Sequence, residues 1–254
     1  MRLFLLLLTA LIIFACDDET ADPVDLAADQ NYFPLELNRS LIYDQDSIVV
    51  RRSTTRFTQY DTARAQVRET LVEQFTAGDG QQEYRGERWQ RADESSPWRF
   101  VQTYTVTRSA TAARRNEDNL TFTKLVFPIR AGRNWDGNKA FDETIELLVG
   151  GQFLDVYNFW NYRYGPGPID TTYNGIPVTD VWTVEQADVD NSIEFRQAYE
   201  RYAPGIGLVE RFLDARHTQA VRCCNRDFAI ANDLSWDEKA EKGFILHQRL
   251  REIR

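Results

Sequence analysis

Two histidines, three cysteines and 39 acidic residues are the groups in this chain best suited to metal ligation or proton transfer. Most of the spacings that would make a site of them are absent. His217 and His247 cannot share one helix face, and no Cys/His run has the spacing of a closed zinc site. Asp188-x-Asp190-x-Ser192 opens like a calcium loop, yet position six is Ile193 where glycine is required and position twelve is Tyr199 where glutamate is required. There is no Gly-x-Ser-x-Gly elbow, and neither histidine has a Ser or Cys partner in sequence. Gly205-x-Gly207 lacks the third glycine of a phosphate loop and reads as a tight turn. No cofactor motif is present. A carboxylate pair for glycosidic chemistry is set by tertiary spacing, so the sequence names none. Cys223 and Cys224 are adjacent; they read first as two buried or half-buried thiols, then as a vicinal disulfide, and last as a soft-metal site with His217.

The one cysteine with an evident chemical fate is Cys16. Arg2 precedes an apolar run from Leu3 to Phe14, broken only by Thr9, and Asp17-Asp18-Glu19 follows Cys16 at once. About 20 apolar residues are needed to span a bilayer; this run is shorter and suits the apolar region of a secretory leader. Ile13-Phe14-Ala15-Cys16 resembles the lipobox of bacterial lipoproteins, which implies cleavage before Cys16 and acylation of its thiol, with Phe14 departing from the usual small residue. Two or three acyl chains, each CH₂ contributing about 0.8 kcal/mol, anchor a protein permanently.

The chain therefore divides into a leader (1–15), an acidic tether (16–31) and a body (32–254). Asp17 to Asp29 holds six acidic residues and no apolar face. The formal charge is −9, one unit more negative once Arg2 leaves with the leader. Such a balance excludes nucleic acid as a partner and gives no polybasic grip on anionic lipid. The expected partners are the membrane, through the anchor, and a protein or a hydrophobic ligand.

The elements that must position any site are strands. Residues are 43% hydrophobic and 13% aromatic, enough for one sizeable core. Period-two alternation recurs between turn residues. It runs through Gln66 to Phe75, Gln82 to Arg91 after the Asp79-Gly80 turn, Trp98 to Ser109, and Leu120 to Ile129 after Glu117-Asp118-Asn119. Phe153 to Tyr164 reads as one aromatic strand, with Tyr157 and Phe159 on one face and Trp160, Tyr162 and Tyr164 on the other. Asn174-Gly175 precedes a strand over Val178 to Glu185. Ile193 to Tyr202 fits either a strand or a helix face; the Pro204-Gly205-Ile206-Gly207 turn and the alternation after it favour a hairpin. Ser235 and Glu238 form a capping box for one short helix closed by Gly243, before a last strand carrying Phe244, Leu246 and Leu250. The pattern predicts a mainly β fold: a curved antiparallel sheet, half-barrel or sandwich-like, with one or two short helices.

Several phrases resemble uncharacterised envelope lipoproteins of Bacteroidota. These are Tyr32-Phe33-Pro34-Leu35 with Asn38, Leu41 and Tyr43, then Asp46-Ser47-Ile48-Val49; Phe127-Pro128-Ile129 with Trp135-Asp136-Gly137-Asn138; Tyr173-Asn174-Gly175; and Tyr202-Ala203-Pro204-Gly205-Ile206-Gly207-Leu208-Val209. Asn38 and Leu41 stand where the family has Gly and Trp. The resemblance implies a β-rich fold in the envelope and carries no catalytic residues. Asp17-Asp18-Glu19 resembles the acidic surface-export signal of such envelopes, while an Asp after the acylated Cys implies inner-membrane retention in other systems; the outer membrane is the expected address.

The functional expectation is a non-enzymatic lipoprotein that binds a ligand or partner near the membrane. The alternative is a secreted hydrolase acting on glycans or peptides. Trp160, Tyr162 and Tyr164 are the candidate ligand or partner face, although aromatic residues in sheets mostly serve the core.

Overall fold

A computed structural model describes residues 26–51, 58–78 and 80–254. The leader, Cys16 and the first part of the tether lie outside the described residues, as does Asp79. The end of the tether is structured: α1 (Leu26–Gln30) docks on the body. The Asp29 carboxylate accepts from the Ile129 N–H at 2.8 Å, and Arg108 donates to the carbonyls of Gln30 and Phe33.

Strands β1 (Ser40–Arg51), β2 (Gln59–Thr76), β3 (Gln82–Arg91), β4 (Arg99–Arg108), β5 (Ala112–Glu117) and β6 (Leu120–Val126) form one antiparallel meander. Short strand β7 (Asn134–Trp135) and hairpin β8 (Leu147–Val149) with β9 (Gln152–Leu154) follow, then β10 (Tyr162–Tyr164) and β11 (Ile169–Tyr173). Long strands β12 (Ile176–Asp190), β13 (Glu194–Ala203) and β14 (Gly207–His217) make a second meander. Three short helices, α2 (Val221–Cys224), α3 (Phe228–Asn232) and α4 (Trp236–Lys239), lead into β15 (Lys242–Ile253). β15 pairs with both β1 and β14, so the first and last strands join the two meanders in the middle of the sheet.

The sheet curls until its two ends meet. Thr123 on edge strand β6 donates its N–H to the Gly137 carbonyl at 2.8 Å, and Trp135 Nε1 donates to the Thr123 carbonyl. The Tyr164 hydroxyl accepts from the Val126 N–H and donates to the Val126 carbonyl. One side chain thus satisfies an edge that would otherwise expose bare backbone groups. The result is a nearly closed antiparallel barrel: mainly β and curved, as the alternation predicted, and closed further than a half-barrel.

Local chemistry explains the turns. Asp118 and Asn119 (φ 54° and 62°) and Asn174 and Gly175 (φ 47° and 84°) place both central residues of their two-residue hairpins at positive φ, the geometry that matches strand twist. Between β2 and β3 the loop is longer: Gly80 donates to the Ala77 carbonyl and Ala77 to that of Gln81. Glu194–Ala203 pairs with Gly207–His217 as a hairpin, settling the strand-or-helix ambiguity there.

Three expectations are corrected. Phe153 to Tyr164 is not one strand: β9 ends at Leu154 and β10 begins at Tyr162, with a turn between them in which Phe159 takes φ 65°. The alternation of aromatics there reflects burial from two directions, not a pleat. The helix after Ser235 has its capping box, with Glu238 accepting from Ser235, but ends at Ala240. Gly243 belongs to β15, where a Cβ would lie 2.7 Å from the Ala215 carbonyl oxygen. Cys223 and Cys224 are joined as a vicinal disulfide. They lie in α2, flanked by left-handed Ala220 and Asn225.

Candidate functional site

The inner face of the barrel carries charge where a core would ordinarily be apolar. Pairing fixes which side chains point inward. Leu41 opposes Glu69, Glu69 opposes Arg88, Val106 opposes Arg115, and Arg211 opposes both Glu200 and Gln248. With Glu117 and Lys124 these give a layer of four cations and three anions across the lumen. Arg115 and Glu117 share β5, and the other members come from β2, β3, β6, β13 and β14, so no sequence window contains the network.

Glu69 is held by two arginines. Its Oε1 accepts from Arg88 Nε and Nη2 and from Arg115 Nη2, and its Oε2 from Arg115 Nη1, all at 2.7–2.9 Å. Glu117 Oε2 accepts from Arg88 Nη2 and Arg115 Nε. The Arg115 guanidinium lies 3.7 Å from the Tyr104 ring centre, and that ring lies over Gly86, where a Cβ would meet it at 2.2 Å. Glu200 Oε1 accepts from Lys124 Nζ at 2.9 Å and Arg211 Nε at 2.8 Å, while its Oε2 accepts from the Tyr202 hydroxyl at 2.6 Å.

Burial alone would raise these carboxyl pKa values, since charge is disfavoured away from water. The surrounding cations outweigh it. Glu69 and Glu117 are held far below the ordinary carboxylate range, and Glu200 at about 2 by Lys124 and Arg211. A carboxylate with a depressed folded pKa stabilises the fold fully above its unfolded value, near 4.3, and loses that contribution as pH falls toward the folded value. Unfolding stability is therefore expected to be flat from pH 6 to 8 and to fall below about pH 4.5. With three such groups the slope can reach about 4 kcal/mol per pH unit. Urea midpoints measured against pH check this; equal midpoints at pH 6 and pH 3 would refute it.

Cavities lie on both sides of the charged layer. The upper one, ≈ 90 Å³, is walled by Phe33, Leu41, Tyr43, Leu71, Val106 and Leu208 above Glu69 and Arg115, space for several waters. The lower one, ≈ 220 Å³, is walled mainly by Phe122, Val156, Tyr157, Trp160, Phe244 and Leu246. Hairpin β8–β9 borders it, turning Leu147 and Val149 toward it and leaving Leu148 exposed. Lys124 and Arg211 line both cavities.

Of the candidate aromatic face, Tyr162 and Tyr164 are fully buried; Tyr162 donates to Asn138 Oδ1 and both pack on Trp135. Trp160 alone reaches the lower cavity, edge-on to Tyr157 at 5.1 Å. On the outer face His247 meets Glu210 Oε1 at 2.7 Å and the Phe212 ring edge-on. Glu210 also accepts from Tyr173, Tyr199 and Arg201. His217 closes β14 opposite Glu194 and Lys242, and burial lowers its pKa. Among the described residues, no three His, Cys, Asp or Glu side chains converge as a metal set, and no helix is long and apolar enough to cross a membrane.

No family model and no curated protein matches this chain. Two solved structures are similar in outline. One, from Bacteroides fragilis, is described as an exported protein with a YmcC-like fold; it shares 10% identity over 87% of this chain and 98% of its own, with a TM-score of 0.34. The other, from Parabacteroides distasonis, is described as a lipoprotein; it shares 11% identity over 88% of this chain and 98% of its own, with a TM-score of 0.33. At such identity and overlap neither bears on residues or activity.

Proposed function

We propose that this chain is a non-enzymatic envelope lipoprotein, anchored through acyl chains on Cys16, whose barrel holds a small hydrophobic ligand close to the membrane. The observation that carries the reading is the lower cavity, partly open to solvent, whose lining combines ten apolar or aromatic side chains with seven polar or charged ones; an apolar wall with convergent polar groups is the make-up of a small-molecule site. Its apolar surface faces inward, which favours a ligand over a protein partner docking outside. The hydrolase alternative draws less support. A glycosidic acid needs a carboxyl with a raised pKa, whereas the three lumen glutamates are depressed by their cations; burial raises Asp214 and Glu143, but neither lines the chamber.

Two experiments test the two halves of the proposal. Native protein should carry acyl mass and fractionate with membranes, and Cys16→Ser should lose both; an unchanged mass and fractionation would remove the anchor. An apolar fluorophore that brightens on leaving water should bind the body saturably. Leu147→Trp, which fills the chamber from the peripheral hairpin, should weaken that binding at least tenfold with little change in melting temperature. Binding indifferent to Leu147→Trp would place the apolar site elsewhere.

A further inference from the structure

We infer that the ligand is a monoanionic amphiphile, its carboxylate or phosphate head seated between Lys124 and Arg211 and its apolar chain in the lower chamber. This rests on the hydrophobic-ligand reading and adds the chemistry of the head group.

The charge balance of the lumen is uneven. Arg88, Arg115, Lys124 and Arg211 face Glu69, Glu117 and Glu200, an excess of one positive charge. The lumen tyrosines Tyr43, Tyr104, Tyr157, Tyr162 and Tyr202 do not offset it, because burial raises their pKa values and keeps them neutral. Asp118, the remaining acid lining the chamber, is exposed at the β5–β6 turn.

The excess is localised. Arg115 directs Nε and both Nη groups, and Arg88 its Nε and Nη2, to Glu69 and Glu117. Arg211 donates only through Nε, to Glu200. Its nearest other acid oxygen is Glu117 Oε1, 3.9 Å from Nη1, beyond hydrogen-bond reach. Lys124 uses one of its three donors, on the same Glu200 oxygen, and burial lowers its pKa despite that partner. A third donor lines the same chamber. Gln186, 2% exposed, lines the lower chamber with an Nε2 that has no partner among the described residues. Buried donors without acceptors are costly and are normally satisfied by water, an ion or a ligand. The orphaned Gln186 amide and the further donors of Lys124 and Arg211, all lining one chamber, are complementary to an anion with an apolar tail. A carboxylate or phosphate accepts from guanidinium in paired, charge-assisted bonds.

The test is calorimetric titration of the intact chain with decanoate, decyl phosphate, decanol and decyltrimethylammonium, which share one tail. Both anions should bind at least tenfold more tightly than decanol, and the cation should not bind. Decanoate tighter than decyl phosphate identifies a fatty-acid type of ligand, and the reverse order a phospholipid type. In Lys124→Gln/Arg211→Gln the anions should fall to the affinity of decanol, which is itself retained. If that variant does not fold, Gln186→Glu, which sets a negative charge at the neutral donor's position, should weaken the anions at least tenfold and spare decanol. Decanol equal to decanoate in the unaltered chain would overturn the anionic head and leave the apolar chamber standing. Failure of all four ligands would overturn both.

Discussion

Glu69→Gln is expected to cost about 3–5 kcal/mol of folding stability, the range for breaking a buried ion pair by removing one partner. The glutamate is buried, and its two oxygens receive four hydrogen bonds from Arg88 and Arg115. The glutamine keeps one acceptor oxygen and turns an amide NH₂ toward a guanidinium. The lumen excess then rises from one positive charge to two, with Glu117 left to serve both arginines. Against a total stability of about 5–15 kcal/mol, the urea midpoint should fall by about a fifth or more. Adding Arg115→Met should restore part of the loss, because the uncompensated cation goes with it. A coupling of at least about 1 kcal/mol in the double-mutant cycle is expected. Strict additivity would mean that Glu69 and Arg115 stabilise the fold independently, contrary to their geometry.

Gly243→Ala should cost about 3 kcal/mol, at the upper end of ordinary overpacking. Gly243 pairs with Val50 on one side and Arg216 on the other. The added methyl would lie 2.7 Å from the Ala215 carbonyl oxygen and 3.1 Å from Arg216 Cα. Both obstacles are backbone, so relief requires β14 and β15 to separate where the two meanders join. Gly78→Ala is the matched control, since nothing lies within 4 Å of its Cβ position; it should change stability by less than about 0.5 kcal/mol. Equal thermal midpoints for the two variants would show that the β14–β15 contact is looser than described.

Strand alternation was legible because burial on one face of a sheet imposes it directly on neighbouring residues. Gln82 to Arg91 coincides with β3, and Leu120, Phe122, Phe244, Leu246 and Leu250 lie as the period-two pattern requires. The Asp118-Asn119 and Asn174-Gly175 turns were legible because positive φ selects residue types locally. The aromatic segment from Phe153 to Tyr164 misled for the converse reason. Leu154 packs against Ala215, whereas Tyr162 and Tyr164 pack with Trp135 and Tyr202, so alternation arose from two neighbouring clusters and not from one strand.

The lumen network was not legible at all. Glu69, Arg115, Lys124, Glu200 and Arg211 lie on five different strands, so no stretch of sequence shows them together. They become interior only when the sheet curls and its far edge, β6, meets β7 and β10. Their one sequence trace is that each falls in phase with apolar neighbours: Glu69 with Val67 and Leu71, Lys124 with Leu120 and Phe122, Arg211 with Val209 and Leu213. A charge at an inward position of a strand is the signal that could have found them.

The central claim is that the lumen holds an apolar ligand by its acid group, and mass spectrometry of an organic extract tests it most directly. The full chain, purified with its anchor in a mild detergent, should release a near-stoichiometric anionic amphiphile. The same extract from Leu147→Trp should be depleted of it at least tenfold. Extracts of the two proteins that match each other, with only bulk membrane lipid in both, would contradict the account.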